Sequence, residues 1–337
     1  QNESLGYTEW TLKNGIKVVV RPSTLKADEV MISAVSKGGC SMLTDEEYYQ
    51  GAFLGTVMSN SGIGKFSTTE LSKQLSGKSA WASVGVDSYE HAVNAGGSPK
   101  DIETILQLMY LNFTSPRFDQ TDLDNLKKMY IPYFGNMESD PNYICSKELQ
   151  KTLYGNNPRI VQLNDETLAK ANLATIERVY RELFKDAAGA TLNIVGNVNP
   201  AEIKPLVEKY IGSIAKGKKA DQVNKDNIIS IVKGKVDETV KIAMETPKST
   251  VLQVYTAYMP VDTKNEVALE VANYVLDMIY TKTIREDEGG TYGVGTAMVG
   301  QREPEERVVI QISFDTNPEQ APKLRELALK GLKELAE

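Results

Sequence analysis

A chain of 337 residues is long enough for about two domains of ordinary size, each with a core of its own. Its 41% hydrophobic and 25% charged content is ordinary for a globular protein, and no apolar run approaches the roughly 18 to 20 residues of a membrane span. A formal charge of -7 argues against a nucleic-acid partner, and the only two cysteines, Cys40 and Cys145, lie too far apart for the CxxC spacing of a zinc knot or redox motif.

The chain begins Gln1-Asn2-Glu3-Ser4, without Met and without a basic-then-apolar leader pattern. It therefore reads as a processed or excised piece, and the absence of a leader says nothing about export. Residues 10–20 (WTLKNGIKVVV) predict two short strands around an Asn-Gly turn, because both turn residues tolerate positive φ. A strand over 30–35 ends at Gly38-Gly39, residues 48–58 carry helical apolar spacing, and 91–95 are strand-like. Helices follow around 123–130 and 144–153, and the first unit ends near Ile214.

Three helix starts share one chemistry: Ser98-Pro99-Lys100-Asp101, Asn199-Pro200-Ala201-Glu202 and Asn317-Pro318-Glu319-Gln320. Each pairs a capping residue with Pro at the first helical position and an Asp, Glu or Gln two residues later. From Ser98 to Asn317 the offset is 317 − 98 = 219, and it brings other elements into correspondence. The strand at 30–35 falls close to one at 251–258, and the helix at 48–58 falls on one at 267–284. Two copies of one αβ unit are expected, giving an α+β fold with a mainly antiparallel sheet covered by helices in each copy.

The expected boundaries are residues 1–214 for the first unit, 215–237 for a linker whose first part, 215–226, is polar and Lys-rich, and 238–337 for the second unit. The run Lys216-Gly217-Lys218-Lys219 belongs to that linker rather than to a phosphate-binding patch. The second copy has only 20 residues after Asn317, and its last helix, over 321–336, has no strand after it. That pattern is expected of a truncated copy.

Most candidate chemistry is weak. The one histidine, His91, cannot make a zinc site alone, and no nucleophile motif accompanies it. Ser61-Gly62-Ile63-Gly64-Lys65-Phe66 approaches a phosphate loop but lacks the first Gly, with Ser59 in its place, and has Phe66 where a Ser or Thr would hold magnesium. The acidic run Glu286-Asp287-Glu288 reads as a solvated turn. An apolar helix face of Val267, Val271, Val275 and Ile279 leads to Arg285, whose charge suits a helix C-terminus, followed by Gly289-Gly290 and then Tyr292 at the opening of a strand.

With the repeat and the segment IREDEGGTYGV (284–294) in hand, the chain resembles the C-terminal half of a pitrilysin or insulysin type zinc metallopeptidase, of the kind found among bacterial zinc proteases. The likeness covers nearly the whole length. In that family four homologous units form a clamshell, with an inverted HxxEH zinc motif in the first unit and an Arg/Tyr pair in the last. Arg285 and Tyr292, seven residues apart, match that pair. The unit opening with LKNGIKVVV resembles the zinc-binding unit with its ligands gone, because Ala52-Phe53-Leu54-Gly55-Thr56 stands where HFLEH would. The family spacing of roughly 75 residues to a third ligand, a Glu, reaches Pro132-Tyr133 before Glu138, so that position is empty too.

The resemblance implies a half that binds no metal itself and works with a zinc-bearing N-terminal half or partner subunit on a peptide substrate. Ala52, Gly55 and Thr56 are then degenerate motif positions, while Arg285 and Tyr292 act in substrate positioning and oxyanion stabilisation. A periplasmic or cell-envelope location follows from the same resemblance. The alternative from another class is a non-catalytic peptide-binding or scaffold subunit paired with an active zinc peptidase.

Overall fold

The Asn-Gly turn sets the first hairpin. Gly15 adopts a φ of +95°, and Asn14 is buried with its amide donating to the carbonyls of Ile211 and Ile214. Strands β1 (Thr8–Thr11) and β2 (Lys17–Pro22) leave this turn antiparallel. The computed structural model describes residues 2–336 apart from 161–163, 187, 218–219 and 244, so part of the Lys216–Lys219 run lies outside the described residues. The described chain divides into two units, Gln1–Val240 and Lys241–Glu337.

The first unit continues through β3 (Val30–Lys37), α1 (Asp45–Ser61), α2 (Thr68–Gln74), β4 (Ala80–Val86) and β5 (Glu90–Gly97). Helices α3 (Ile102–Thr114), α4 (Gln120–Met137), α5 (Pro141–Tyr154), α6 (Asp165–Ala169) and α7 (Leu173–Leu183) follow, then β6 (Thr191–Gly196) and α8 (Pro200–Tyr210). The six strands run β1-β2-β6-β3-β5-β4, antiparallel throughout except for the β2–β6 pair.

Alternation along these strands sends Val18, Val20, Ile32, Ala34, Val93 and Ile194 into the core, while Met31, Trp81 and Val195 lie exposed on the other face. Helices cover the inner face with Phe53, Leu54, Val57, Ile105, Met109 and Ile176. Each such side chain contributes about 1.5–3 kcal/mol of burial. Arg159 anchors the start of α1 from within the core. Its guanidinium contacts Asp45 at 2.8 Å and donates to the carbonyls of Cys40 and Leu43.

The second unit comprises β7 (Ser249–Tyr258), α9 (Thr263–Tyr280), β8 (Gly295–Gln301), β9 (Arg307–Thr316) and α10 (Ala321–Ala336). Its antiparallel sheet has the order β7-β9-β8. The mixed α+β organisation is as expected, and the registers carry the repeat. Val30 pairs with Gly97 in the first unit and Ser249 with Thr316 in the second, so both partners move by 219 residues. Where α2 intervenes between α1 and β4, the second unit has the connection bearing Arg285 and Tyr292.

Three details differ from expectation. Only Asn199 of the three proposed caps accepts a helix-start hydrogen bond through its side chain. Ser98 opens a 3-10 turn without one, and α10 starts at Ala321, three residues beyond Pro318. The buried side of α9 is Leu276 and Tyr280, not the stripe Val267, Val271, Val275, Ile279, of which the three valines are exposed. The periodic pattern identified the helix, but α9 is apolar on two sides and the sheet takes the other one. Within 215–237, residues 224–232 lie along the first unit. Asn227 donates to the carbonyl of Ser41 at 2.6 Å, and the backbone N–H of Ile229 and Val232 donate to the Tyr89 hydroxyl and the Leu153 carbonyl.

Candidate active-site half

Helix α9 is capped by Asp262, whose carboxylate accepts from the Asn265 N–H, and runs for 18 residues from Thr263 to Tyr280. It then widens into a π-helical turn, Thr281–Glu286, in which the Thr283 hydroxyl donates to the carbonyl of Ile279. Such widened turns concentrate at functional positions. Ile284 is fully buried and fixes the turn to the core, so the next side chain, Arg285, projects into solvent.

The chain reverses through Gly289, whose φ of +57° suits glycine, and Gly290, which is buried against Leu324 of α10. The backbone N–H of Gly290 donates to the Ile284 carbonyl, and the Gly290 carbonyl accepts from the Thr316 hydroxyl at 2.6 Å. Glu288 pairs with Lys323, whereas Glu286 and Asp287 face solvent. The acidic run is thus partly a clamp between the turn and α10.

Tyr292 sits in a bend three residues before β8 rather than opening the strand. Thr291 explains the bend, because its hydroxyl donates to the Gly293 carbonyl and accepts from the Gly293 N–H, which diverts the backbone from the ladder. Tyr292 is fully exposed, at 101% of its reference area. Among the described residues, neither the Arg285 guanidinium nor the Tyr292 hydroxyl has a hydrogen-bond or ion-pair partner. Both donors stand at the ends of one connection held by Ile284, Gly290 and Thr316. Gly289-Gly290 signalled the turn in the sequence, whereas Thr316 was not singled out there.

Residues 52–56, expected to be a degenerate motif, lie within α1. Ala52 and Gly55 are partly buried and Thr56 is exposed. A Cβ on Gly55 would come within 2.6 Å of the Val84 carbonyl oxygen, so the helix approaches β4 where only glycine fits. Pro132 lies inside α4, and Glu138 closes that helix paired with Lys147. Among the described residues no cluster of three His, Cys, Asp or Glu side chains is placed to hold a metal ion. An alanine, a glycine and a threonine do not fit zinc.

His91 is buried in β5, accepts from the Gly39 N–H through Nδ1, and meets Phe184 edge-on. Burial and the charge of Lys185 hold its pKa down at about 4. The Ser61–Phe66 segment forms a tight turn closed by Ile63–Phe66 backbone bonds, and a Cβ on Gly62 would strike the Phe66 carbonyl. Among the described residues no helix is long and apolar enough to cross a membrane.

Residues 170–337 match the family described as the peptidase M16 inactive domain. A zinc protease PQQL-like of Arabidopsis thaliana is 24% identical over 344 aligned positions, covering 97% of this chain and 33% of that protein. The solved periplasmic protease PqqL of Escherichia coli superposes with a TM-score of 0.83 at 21% identity, covering 99% of this chain and 37% of that one. A peptidase M16 inactive domain from Pseudomonas fluorescens gives 0.73 at 17%, covering 98% and 79%. The chain spans about a third of the length of the curated relatives it matches.

Proposed function

Because this chain belongs to the M16 peptidase family and matches its inactive domain, we propose that it works as the half of a zinc-dependent peptidase that binds no zinc, lending Arg285 and Tyr292 to peptide-bond hydrolysis. The observation that carries the reading is the pair itself: two unpartnered donors, fully or largely in solvent, on a turn held rigidly from within.

Hydrolysis of a peptide bond builds negative charge on the carbonyl oxygen, and a preorganised donor aimed there is worth about 3–4 kcal/mol. Tyr292 offers a directional phenolic O–H for that oxygen. Arg285 offers a planar, permanently charged fork that suits the carbonyls or carboxylate of the substrate on either side of the cleaved bond. Zinc bound in the other half supplies the activated water. The general base also belongs to that half, because positions 52, 55 and 56 here provide none.

The other half is the N-terminal part of the same polypeptide or a separate zinc-bearing subunit. Substrate lies extended, adding a strand to a sheet edge in that half, which reads backbone more than side chains. A periplasmic setting, as named for the E. coli relative, accords with this role.

The experiment mixes purified zinc-bearing half with this chain as wild type, Arg285→Ala or Tyr292→Phe and follows peptide cleavage. The expected result is a drop of about 10²- to 10³-fold for Tyr292→Phe, as for loss of an oxyanion donor. Equal rates from all three would leave the pair as a structural turn and favour a scaffold role.

A further inference from the structure

We propose that Thr283 is a positioning residue for Arg285: by holding the turn after α9 in its widened form, it sets the direction from which the guanidinium meets a peptide substrate. The inference deepens the reading of the Arg285/Tyr292 pair and rests on it.

The widened turn is an addition to the repeated unit. Helix α1 ends at Ser61 against Gly62, and Tyr280, which stands 219 residues beyond Ser61, ends the regular part of α9. The first unit has finished its helix at this point. The second continues through Thr281–Glu286 with hydrogen bonds that reach one residue further back, as where the Asp287 N–H donates to the Lys282 carbonyl at 2.9 Å.

The addition changes which way Arg285 points. Leu276, Tyr280 and Ile284 are fully buried at a spacing of four. At about 100° per residue, a continued α-helix would swing Ile284 about 80° round from Leu276, to the margin of a buried stripe, and would carry Arg285 to about 180°. There it would share the exposed side of α9 with Val271 and Met278. A turn closed five residues apart advances less per residue, so Ile284 returns to the core and Arg285 stops on the flank of the helix. The root of the turn has no freedom to compensate. The Tyr280 hydroxyl donates to the Ala328 carbonyl, and a Cβ on Gly331 would come within 2.6 Å of the Tyr280 ring.

Thr283 sits where the spacing changes. Its half-buried hydroxyl donates at 2.8 Å to the carbonyl of Ile279, four residues back in the last regular turn. A hydroxyl bonded in this way competes with the backbone ladder and bends the helix at that carbonyl. It also ties the opened turn to the regular helix beneath it. Valine keeps nearly the same shape and loses the bond, whereas serine keeps the bond and loses a methyl.

The test compares Thr283→Val, Thr283→Ser, Arg285→Ala and the double variant Thr283→Val/Arg285→Ala in the assembled zinc peptidase as its native host makes it. Two readouts are taken: kcat/KM on one internally quenched peptide that the wild type cleaves, and backbone hydrogen exchange over 281–287. Thr283→Val is expected to speed exchange in the turn and to lower kcat/KM about 10- to 100-fold, as for a misplaced group at the reacting bond. Thr283→Ser is expected to match wild type on both. Once Arg285 is alanine, the valine is expected to cost nothing further in rate, because it acts only through the guanidinium. Where Arg285→Ala is impaired, a wild-type rate for Thr283→Val, or the same drop with and without Arg285, overturns the proposal. A wild-type rate for Arg285→Ala overturns the peptidase role of that residue instead; faster exchange in Thr283→Val then upholds its hold on the turn, and unchanged exchange overturns that as well.

Discussion

Thr316 donates its hydroxyl proton to the carbonyl oxygen of Gly290 at 2.6 Å, so the last residue of β9 grips the turn between Arg285 and Tyr292. The two groups are buried, and the carbonyl has no water to fall back on. Thr316→Val keeps the shape and removes the donor, leaving an unsatisfied acceptor at a cost of about 1–3 kcal/mol. Urea unfolding followed on the second unit is expected to show that loss for valine and recovery for Thr316→Ser. Equal stability of the valine variant would show that the carbonyl finds another partner.

Arg285 and Tyr292 separate function from stability. Neither side chain has a partner among the described residues, so Tyr292→Phe and Arg285→Ala are expected to shift unfolding by no more than about 0.5 kcal/mol. The same substitutions are expected to lower cleavage by the assembled peptidase. A large stability change in either variant would place that residue in the packing of the turn instead.

The parts of this fold legible in the sequence are those written in local chemistry. Asn14-Gly15 announced the first hairpin, and the Ser98 and Asn317 segments gave the 219-residue offset that the strand registers share. The inner face of α9 was not legible, because valines at 267, 271 and 275 have the same period as Leu276 and Tyr280 and only the sheet decides between them. Arg285 and Tyr292 were singled out by the family resemblance, since their own pattern reads only as a helix end and a strand start, whereas the hold of Thr316 on the turn depends on a contact across 26 residues that no local pattern encodes. The polar stretch 215–226 reads as solvated, but near its end the Asn224 backbone N–H donates to the Ser41 hydroxyl, and Asn227 just beyond it donates to the Ser41 carbonyl.

Restoring the motif letters should not restore a metal site. The triple change Ala52→His, Gly55→Glu, Thr56→His writes HFLEH into α1, but any Cβ at position 55 lies 2.6 Å from a backbone carbonyl of β4, which has little room to retreat. The third ligand position remains empty as well, since Pro132 and Tyr133 offer none. Metal analysis after dialysis is expected to find no stoichiometric zinc in the triple variant, and Gly55→Ala alone is expected to lower stability. One bound zinc per chain would show that α1 can pull away from the sheet at little cost.

The single histidine permits a clean reading of acid sensitivity. Burial, with Lys185 adding to it, holds the His91 pKa at about 4, against 6.5 for a solvated imidazole. The groups that face the ring include Asp221, whose carboxylate lies 4.0 Å from Nε2 and is itself held up in pKa by desolvation. The unfolded chain takes up this proton near pH 6.5, whereas the folded chain does so only near pH 4. Between those values the unfolded state binds more protons, so the His91 contribution is constant above about pH 6.5, falls as pH drops to about 4, and is flat below. With each pKa unit worth 1.36 kcal/mol, the loss is about 3 kcal/mol. Because no other histidine is present, the imidazole C2 proton resonance reports this group alone. It is expected to stay in its neutral position from pH 8 to 5, and urea unfolding should show the stability loss between about pH 6.5 and 4. A midpoint near 6.5 in the folded protein would mean that the ring is solvated, or that Asp221 stabilises the imidazolium enough to offset its burial.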